Sequence, residues 1–123
     1  MLEASDVIDL FFNHVPTREV AQGEVIFKEG EKGASMYALM DGEVELHRDG
    51  KVVETITKHD VFGEGALVQI DHLRYSTAVA KMPCQIAELN RERFLFLVQE
   101  TPLFALEIIR SLSTRLRLLK ANN

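Results

Sequence analysis

Short apolar segments, divided by glycines and turn residues, occupy the middle of the chain between Val20 and Leu89. They are rich in β-branched and aliphatic residues, and residues 44–47 alternate between apolar and polar positions, as a half-buried strand does. The strands predicted from this pattern cover residues 24–28, 36–40, 44–47, 52–56, 77–80 and 85–89. Many short strands at close spacing indicate a β-sandwich or a barrel-like roll.

Two dipeptides within this region are hairpin-type turn signals, Asp41-Gly42 and Asp49-Gly50. Both residues of such a pair adopt positive φ more readily than most, which matches the tight turns of β-hairpins. We therefore expect each dipeptide to join two neighbouring antiparallel strands. Residues 30–33 form a further turn cluster.

Helical patterns flank the strands. Ser5 and the apolar residues after it predict a short amphipathic helix over residues 1–15, ending before Pro16. The sequence therefore predicts one domain over residues 1–123, mainly β with flanking helices. Its predicted parts are the N-terminal helix over residues 1–15, the roll over residues 16–89 and C-terminal helices over residues 90–123.

Two helices are predicted after the strands. Asn90 is a candidate N-cap of the first, and Thr101-Pro102 begins the second, which runs toward Lys120. The residues expected to share the apolar face of the first helix are Phe94, Leu95, Leu97 and Val98.

The last predicted helix carries an apolar seam with heptad spacing. Its members are Ala105, Ile109, Leu112, Leu116 and Leu119. This seam predicts a homodimer through the helix. The alternative is that the helix packs on its own roll, because Leu106, Ile108 and Leu118 are apolar as well. We interpret its basic residues as a solvated face, made of Arg110, Arg115, Arg117 and Lys120.

Charge and cysteine content narrow the function classes. Nineteen acidic residues against fourteen Lys and Arg give a net charge of −5, which argues against an electrostatic grip on DNA or RNA. The single cysteine, Cys84, cannot form an internal disulfide and favours a reducing compartment. No apolar run approaches the roughly 18 residues of a membrane span, and the acidic N-terminus differs from a signal peptide. We therefore expect a cytoplasmic protein.

Metal-dependent and nucleophilic catalysis have little support in the sequence. The histidines are scattered, without the close pairs that place two nitrogens on one ion; they are His14, His47, His59 and His72. Cys84 opens a predicted strand, which is typical of a small core residue. Ser76 and Thr77 have no base beside them in sequence. We expect no metal and no enzymatic activity.

The residues best suited to bind a ligand are Gly63, Glu64 and Gly65, together with Arg74. Glycines let a backbone approach a ligand closely, and the first amides of a helical turn point outward as donors. That geometry suits a phosphate, to which Arg74 could add a two-pronged contact. A carboxylate would repel a free phosphate, so Glu64 is better suited to accept from a sugar hydroxyl. The alternative is an ordinary turn beside a solvated arginine.

These residues resemble a known family. Residues 62–67 and Arg74 are similar to the phosphate-binding cassette of cyclic nucleotide-binding domains, and the glycine spacing upstream is similar to the family's β-roll. The resemblance extends from about Val15 to Leu119. It implies a cyclic nucleotide-binding-type β-roll (a double-stranded β-helix or jelly roll) with its cassette over residues 62–78. It also implies a non-enzymatic regulatory module that binds cAMP or cGMP and signals through movement of its C-terminal helices.

The resemblance also implies roles for individual residues. Glu64 would accept a hydrogen bond from the ribose 2′-hydroxyl, and Arg74 would pair with the exocyclic oxygens of the cyclic phosphate. Gly63, Gly65 and Ala66 would lie along the sugar-phosphate, with the amides of Gly65 and Ala66 facing the phosphate. Possible walls around the purine are Leu46 and Val53.

Tyr75 stands after Arg74, where the family usually has a small residue. Its hydroxyl could still donate to a ligand, so Tyr75 and Ser76 complete the set of candidate contacts. The alternative is a ligand-free scaffold for protein interaction or dimerisation, in which the Tyr75 ring fills the cleft and Glu64 pairs with Arg74. Transcription factors of this family carry a helix-turn-helix domain after the last helix. Because the chain ends at Asn123, we expect no DNA-binding domain here and an unidentified protein partner instead.

Overall fold

The computed structural model describes residues 15–121, which form two four-stranded antiparallel sheets and three helices. The strands are β1 (Thr17–Val20), β2 (Val25–Phe27), β3 (Ser35–Asp41), β4 (Val44–Arg48), β5 (Lys51–Ile56), β6 (Val61–Phe62), β7 (Thr77–Ala80) and β8 (Cys84–Asn90). The helices are α1 (Gly65–Val68), α2 (Arg91–Glu100) and α3 (Leu103–Ala121). The strand orders are β1-β8-β3-β6 and β2-β7-β4-β5. The six predicted strands are confirmed, and the fold is the predicted mainly-β roll with C-terminal helices.

The two sheets enclose an aromatic core. Phe27 comes from one sheet and Tyr37 and Phe62 from the other, and their ring centroids lie 5.4–6.1 Å apart. A second apolar cluster joins the other face of β3 to the helices and includes Phe104 and Ile108 of α3. Strand β3 is therefore buried on both faces, which explains its continuous apolar sequence.

The two predicted hairpin turns have different outcomes. Asp49 and Gly50 both have positive φ (53° and 78°) and connect the paired strands β4 and β5, as predicted. The prediction for Asp41-Gly42 is wrong, because β3 pairs with β6 and β8 whereas β4 pairs with β5 and β7. Gly42 instead carries the chain from one sheet to the other. A Cβ there would lie 2.6 Å from the Pro83 carbonyl oxygen, so only glycine fits.

The two C-terminal helices are confirmed. Helix α2 begins after Asn90, whose side chain accepts a hydrogen bond from the Arg93 amide at 2.9 Å, as an N-cap does. Of its predicted apolar face, Leu95 is exposed, whereas Phe94, Leu97 and Val98 pack against the second cluster. The N-terminal helix predicted over residues 1–15 lies, apart from Val15, outside the described residues.

Helix α3 packs on the roll with one face. Of its heptad seam, Leu112 packs against the second cluster and Ala105 is half-buried. Phe104 and Ile108 are buried, and the same face continues through Ser111 and Arg115. The seam residues Ile109, Leu116 and Leu119 are exposed, and so are Leu106 and Leu118. No helix within residues 15–121 is long and apolar enough to cross a membrane.

Candidate ligand-binding site

The turn between β6 and α1 carries the first candidate residues. Gly63 has φ of 74°, in the left-handed region that favours glycine. A Cβ on Gly63 would lie 2.9 Å from Arg74 Nη1 and 3.0 Å from Phe27 Cε2. Conformation and space therefore both require glycine here. Gly65 differs, because an added Cβ would meet only the Gln69 side chain, at 4.0 Å.

Arg74 lies inside the roll with its guanidinium fixed by the backbone. Its Nη1 donates to the Gly63 carbonyl and its Nη2 to the Ser35 carbonyl, both at 2.7 Å. The Phe27 ring centroid lies 4.2 Å from the guanidinium carbon. A Cβ on Gly33 would lie 2.4 Å from Arg74 Nε, so the absence of a side chain there makes room for the arginine. These partners are backbone carbonyls, not the Glu64 carboxylate that the ligand-free alternative predicted.

The Arg74 guanidinium is partly desolvated by burial. Burial lowers the pKa of the Arg74 guanidinium below its usual range, and the nearby Tyr37, Glu88, Glu31 and Glu64 oppose this shift. An arginine keeps its proton at neutral pH even after such a shift. The site therefore presents a permanent positive charge.

Glu64 precedes α1 and makes no capping hydrogen bond with its side chain. Its Oε1 atom is buried and has no hydrogen-bond partner in the described part of the chain. A buried acceptor without a donor costs about 1–3 kcal/mol, and more when it is charged. The buried Oε1 of Glu64 is thus a hydrogen-bond acceptor without a donor among the described residues.

All seven candidate ligand-binding residues line one cavity of 130 Å³. They are Gly63, Glu64, Gly65, Ala66, Arg74, Tyr75 and Ser76. Phe27 and Leu46 supply apolar walls, and Glu54 and Arg115 also line the cavity. Val53, proposed with Leu46 as a wall, is exposed on β5 instead. Pockets that enclose a drug-sized ligand usually measure about 300–1,000 Å³, so the cavity as it stands is small for a whole nucleotide.

The Tyr75 ring does not fill the cleft. The residue is 70% exposed, and its ring lies on the Arg48 guanidinium, 3.9 Å from centroid to carbon. The neighbouring Ser76 is buried. The ring position that would have favoured the ligand-free alternative is therefore not observed.

Arg115 is a cavity residue that sequence reasoning misplaced. We interpreted it as part of a solvated face, but its side chain is only 10% exposed and pairs with Glu54, Nε to Oε1 at 2.6 Å. It also donates to the Val61 carbonyl. One turn earlier, Ser111 donates to Asp60 at 3.0 Å and accepts from the Val61 amide at 3.3 Å. The missed signal was spacing, because these two residues continue the buried face of α3.

Within residues 15–121, no three His, Cys, Asp or Glu side chains are grouped so that they could hold an ion. Cys84 is a buried free thiol that donates to the Glu43 and Met82 carbonyls, both at 3.1 Å. Burial raises the pKa of this thiol, which keeps it in the less reactive form.

Comparison with known proteins agrees with this architecture. The architecture is a β-roll closed by helices, with a glycine-rich turn facing a buried arginine. The family model described as "Cyclic nucleotide-binding domain" matches residues 17–101, more than half of the sequence. The chain belongs to the cyclic nucleotide-binding domain family.

Individual relatives include a transcriptional regulator and a protein kinase. The "cAMP-activated global transcriptional regulator CRP" of Pasteurella multocida is 29% identical over 115 residues, covering 89% of this chain and 55% of its own. A "cGMP-dependent protein kinase" of Eimeria tenella is 36% identical over 92 residues, which is 74% of this chain and 9% of the kinase. The crystal structure of Thermus thermophilus catabolite activator protein superposes with a TM-score of 0.76 at 29% identity, covering 95% of this chain and 57% of that one. The chain thus spans slightly more than half the length of these two bacterial relatives and about a tenth of the kinase.

Proposed function

We propose that this chain is a non-enzymatic regulatory module that binds cAMP or cGMP in the 130 Å³ cavity. The observation that carries the proposal is the buried, unpartnered Oε1 of Glu64 in the same cavity as the buried Arg74. A carboxylate that needs a donor and a cation that can hold an anion are the two groups a ribose cyclic phosphate requires. Relatives named for activation by or dependence on cAMP and cGMP support this ligand class.

Arg74 keeps capacity for a phosphate although it already binds the backbone. A guanidinium has five N–H donors, and two of them are used on the Gly63 and Ser35 carbonyls, which leaves three. The aromatic face of Phe27 and the two carbonyls restrict the guanidinium to one orientation. We infer that the arginine is preorganised, so that a phosphate adds contacts without having to order the side chain.

Glu64 would receive the ribose 2′-hydroxyl at its buried Oε1. The amides at the start of α1, from Gly65 and Ala66, would face the phosphate, and Ser76 would contribute its hydroxyl from the buried wall. A linear nucleoside monophosphate has one more negative charge near Glu64 than the cyclic form at neutral pH. The site should therefore prefer the cyclic phosphate.

Binding would be transmitted to α3 through Arg115. This side chain lines the cavity and ties α3 to Glu54 and to the Val61 carbonyl. Because the cavity is small for a nucleotide, ligand entry would displace Arg115 and shift α3. A ligand changes such an equilibrium only if it binds one helix position better than the other, and a cavity wall supplied by the moving helix meets that condition.

The exposed residues of the α3 seam support a further part of the proposal, that the chain forms a homodimer. Three of the five seam residues, Ile109, Leu116 and Leu119, are exposed beside the helix face that packs on the roll. A dimer through this seam would link α3 movement in two copies. The net charge argues for a protein partner rather than nucleic acid, and the buried free thiol of Cys84 fits a cytoplasmic location.

Thermal melting with added nucleotides tests the proposal. At a hundred times its dissociation constant, a ligand stabilises the folded state by about 2.7 kcal/mol, which raises the melting temperature of a domain of this size by several degrees. We expect this rise with cAMP or cGMP and not with AMP. No rise with either cyclic nucleotide at millimolar concentration would overturn the proposal and favour the ligand-free dimerisation scaffold.

A hydrogen-exchange experiment tests transmission separately. The Val61 amide is protected by the Ser111 hydroxyl, so it reports contact between α3 and the roll. We expect saturating ligand to change the exchange rates of this amide and of the second half of α3. Unchanged exchange in a chain that binds the nucleotide would contradict signalling through α3 while leaving binding intact.

A further inference from the structure

Tyr75 is a large aromatic side chain exposed at the rim of the candidate ligand cavity. The residue lies between two buried ones, Arg74 and Ser76, and is itself 70% exposed. Scattered apolar residues at a surface need no explanation. A ring that is exposed and also held in place beside a cavity is a more specific feature.

Arg48 contacts this ring, and two further segments hold Arg48 in turn. Arg48, at the end of β4, lies over the ring and donates from Nη1 to the Tyr75 carbonyl at 2.5 Å. The same Nη1 lies 3.8 Å from an oxygen of Glu29, which follows β2. The amide of Glu29 donates to Thr77 Oγ1 at 3.0 Å. The cation–π contact restrains the ring, and the polar links restrain the Arg48 side chain that makes this contact.

The arrangement leaves one face of the ring available. The guanidinium of Arg48 covers one face, and the high exposure of Tyr75 leaves the other to solvent. Aromatic rings of this kind stack on nucleobases, because every base has a π-face. The cation on the far side of the ring does not compete for that position.

The size of the cavity indicates where a base would go. If Arg74 holds the phosphate and Glu64 the ribose, the 130 Å³ that they share is largely used by the sugar-phosphate. The base must then extend toward the rim, where Tyr75 lies. We propose that Tyr75, braced by Arg48, is a stacking platform for the base and selects purine over pyrimidine cyclic nucleotides. This inference rests on the proposed function, because it concerns the same ligand.

Calorimetric titration of the full chain with cAMP, cGMP and cytidine 3′,5′-cyclic monophosphate tests the platform. Replacing a stacked aromatic residue by alanine weakens binding by about 5- to 150-fold. We expect Tyr75→Ala to weaken cAMP and cGMP binding within that range and to weaken the pyrimidine nucleotide less. The matched control Tyr75→Phe keeps the ring and should bind within about twofold of the wild type.

Each other outcome has a definite meaning. Equal losses for purine and pyrimidine nucleotides in Tyr75→Ala, or no loss, would overturn the platform. A loss in Tyr75→Phe as large as in Tyr75→Ala would assign the contact to the hydroxyl and overturn it as well. Because the side chain is exposed, all variants should melt close to the wild type. A wild-type chain that binds no cyclic nucleotide would refute the proposed function, and the platform with it.

Discussion

Two buried arginines line the same cavity but are accommodated in different ways. Arg115 on α3 has a carboxylate partner, Glu54, and its pair joins two elements of the fold. Arg74 in the cassette has backbone carbonyls as its hydrogen-bond partners, while Glu64 nearby keeps a buried oxygen without a donor. The α3 contact has its partners within the protein, whereas the cassette keeps a buried acceptor that the proposed ligand would satisfy. This difference underlies the roles we propose, a structural contact for Arg115 and ligand binding for Arg74.

Removing Arg74 should give the largest effect on binding. We expect Arg74→Gln to weaken cyclic nucleotide binding by a hundredfold or more. The buried charged pair that Arg74 would form with the ligand phosphate is lost, and truncating one member of such a pair costs about 2–5 kcal/mol. Calorimetric titration measures this loss. The variant should also lose about 2 kcal/mol of stability, since the Gly63 and Ser35 carbonyls lose their donor.

The control for Arg74 is Arg91→Gln, which changes an exposed arginine at the start of α2. Its binding and melting temperature should match the wild type. Binding by Arg74→Gln within tenfold of the wild type would show that this charge does not hold the ligand.

Removing Arg115 should lower stability to a similar extent but should not weaken binding. Breaking a buried ion pair costs about 3–5 kcal/mol, and the residual exposure of both partners reduces this to about 2 kcal/mol. We expect Arg115→Met to lower the melting temperature by roughly 5–10 °C, by calorimetry. Nucleotide affinity should rise a few-fold, because the ligand no longer has to displace the side chain. Arg117→Met, two residues further on and exposed, is the matched control.

A binding loss in Arg115→Met as severe as in Arg74→Gln would contradict this contrast. It would make Arg115 a ligand contact rather than a link between α3 and the roll. Unchanged stability in Arg115→Met would mean that the Arg115–Glu54 pair does not stabilise the packing of α3 on the roll.

The smallest expected effect is on the pKa of Tyr37, which responds to the charge of Arg74. Burial, followed by the charge of Glu88, raises the pKa of Tyr37 above its ordinary 10.0, and Arg74 opposes this rise by stabilising the phenolate. Arg74→Gln should therefore raise the pKa further, and Arg115→Met should leave it unchanged. Ultraviolet titration in a Tyr75→Phe background follows Tyr37 alone, because the chain has two tyrosines.

The same shift has a consequence for stability. Because the folded-state pKa of Tyr37 lies above the unfolded value, its contribution is complete below about pH 10 and is lost as the pH rises through the folded value. Stability of the wild type should thus fall on the alkaline side. An unchanged Tyr37 titration after loss of Arg74 would show that the two groups are not electrostatically coupled in the cavity.

Local pattern predicted much of this fold, and contacts distant in sequence account for what it missed. Strand and helix periodicity located six strands and both C-terminal helices, since these depend on neighbouring residues. Asp41-Gly42 was misjudged because a turn dipeptide indicates positive φ and not whether the flanking strands pair. Gly42 has that φ (96°) but changes sheets.

The candidate site shows the same difference between local motifs, which the sequence predicts, and contacts between distant residues, which it does not. The cassette resemblance identified seven residues that line one cavity, and they form two continuous runs, residues 63–66 and 74–76. Arg115 escaped detection because its partner Glu54 is 61 residues away. A cation on a helix is usually solvated, and only the spacing from Phe104 and Ile108 marked this one as inward. The Arg48 contact with Tyr75 is likewise between segments that no local pattern connects.

The most direct test of the central claim pairs a ligand change with a residue change at Glu64. Calorimetry would compare cAMP with 2′-deoxy-cAMP (or the cGMP pair, if cGMP binds more tightly) on wild type, Glu64→Gln and the exposed control Glu92→Gln. A hydrogen bond to a charged group contributes about 1.5–3 kcal/mol, so the wild type and Glu92→Gln should prefer the ribose form by about 10- to 100-fold. Glu64→Gln should discriminate by no more than about threefold. Equal binding of both ligands by the wild type, or a preference that survives in Glu64→Gln, would contradict the account.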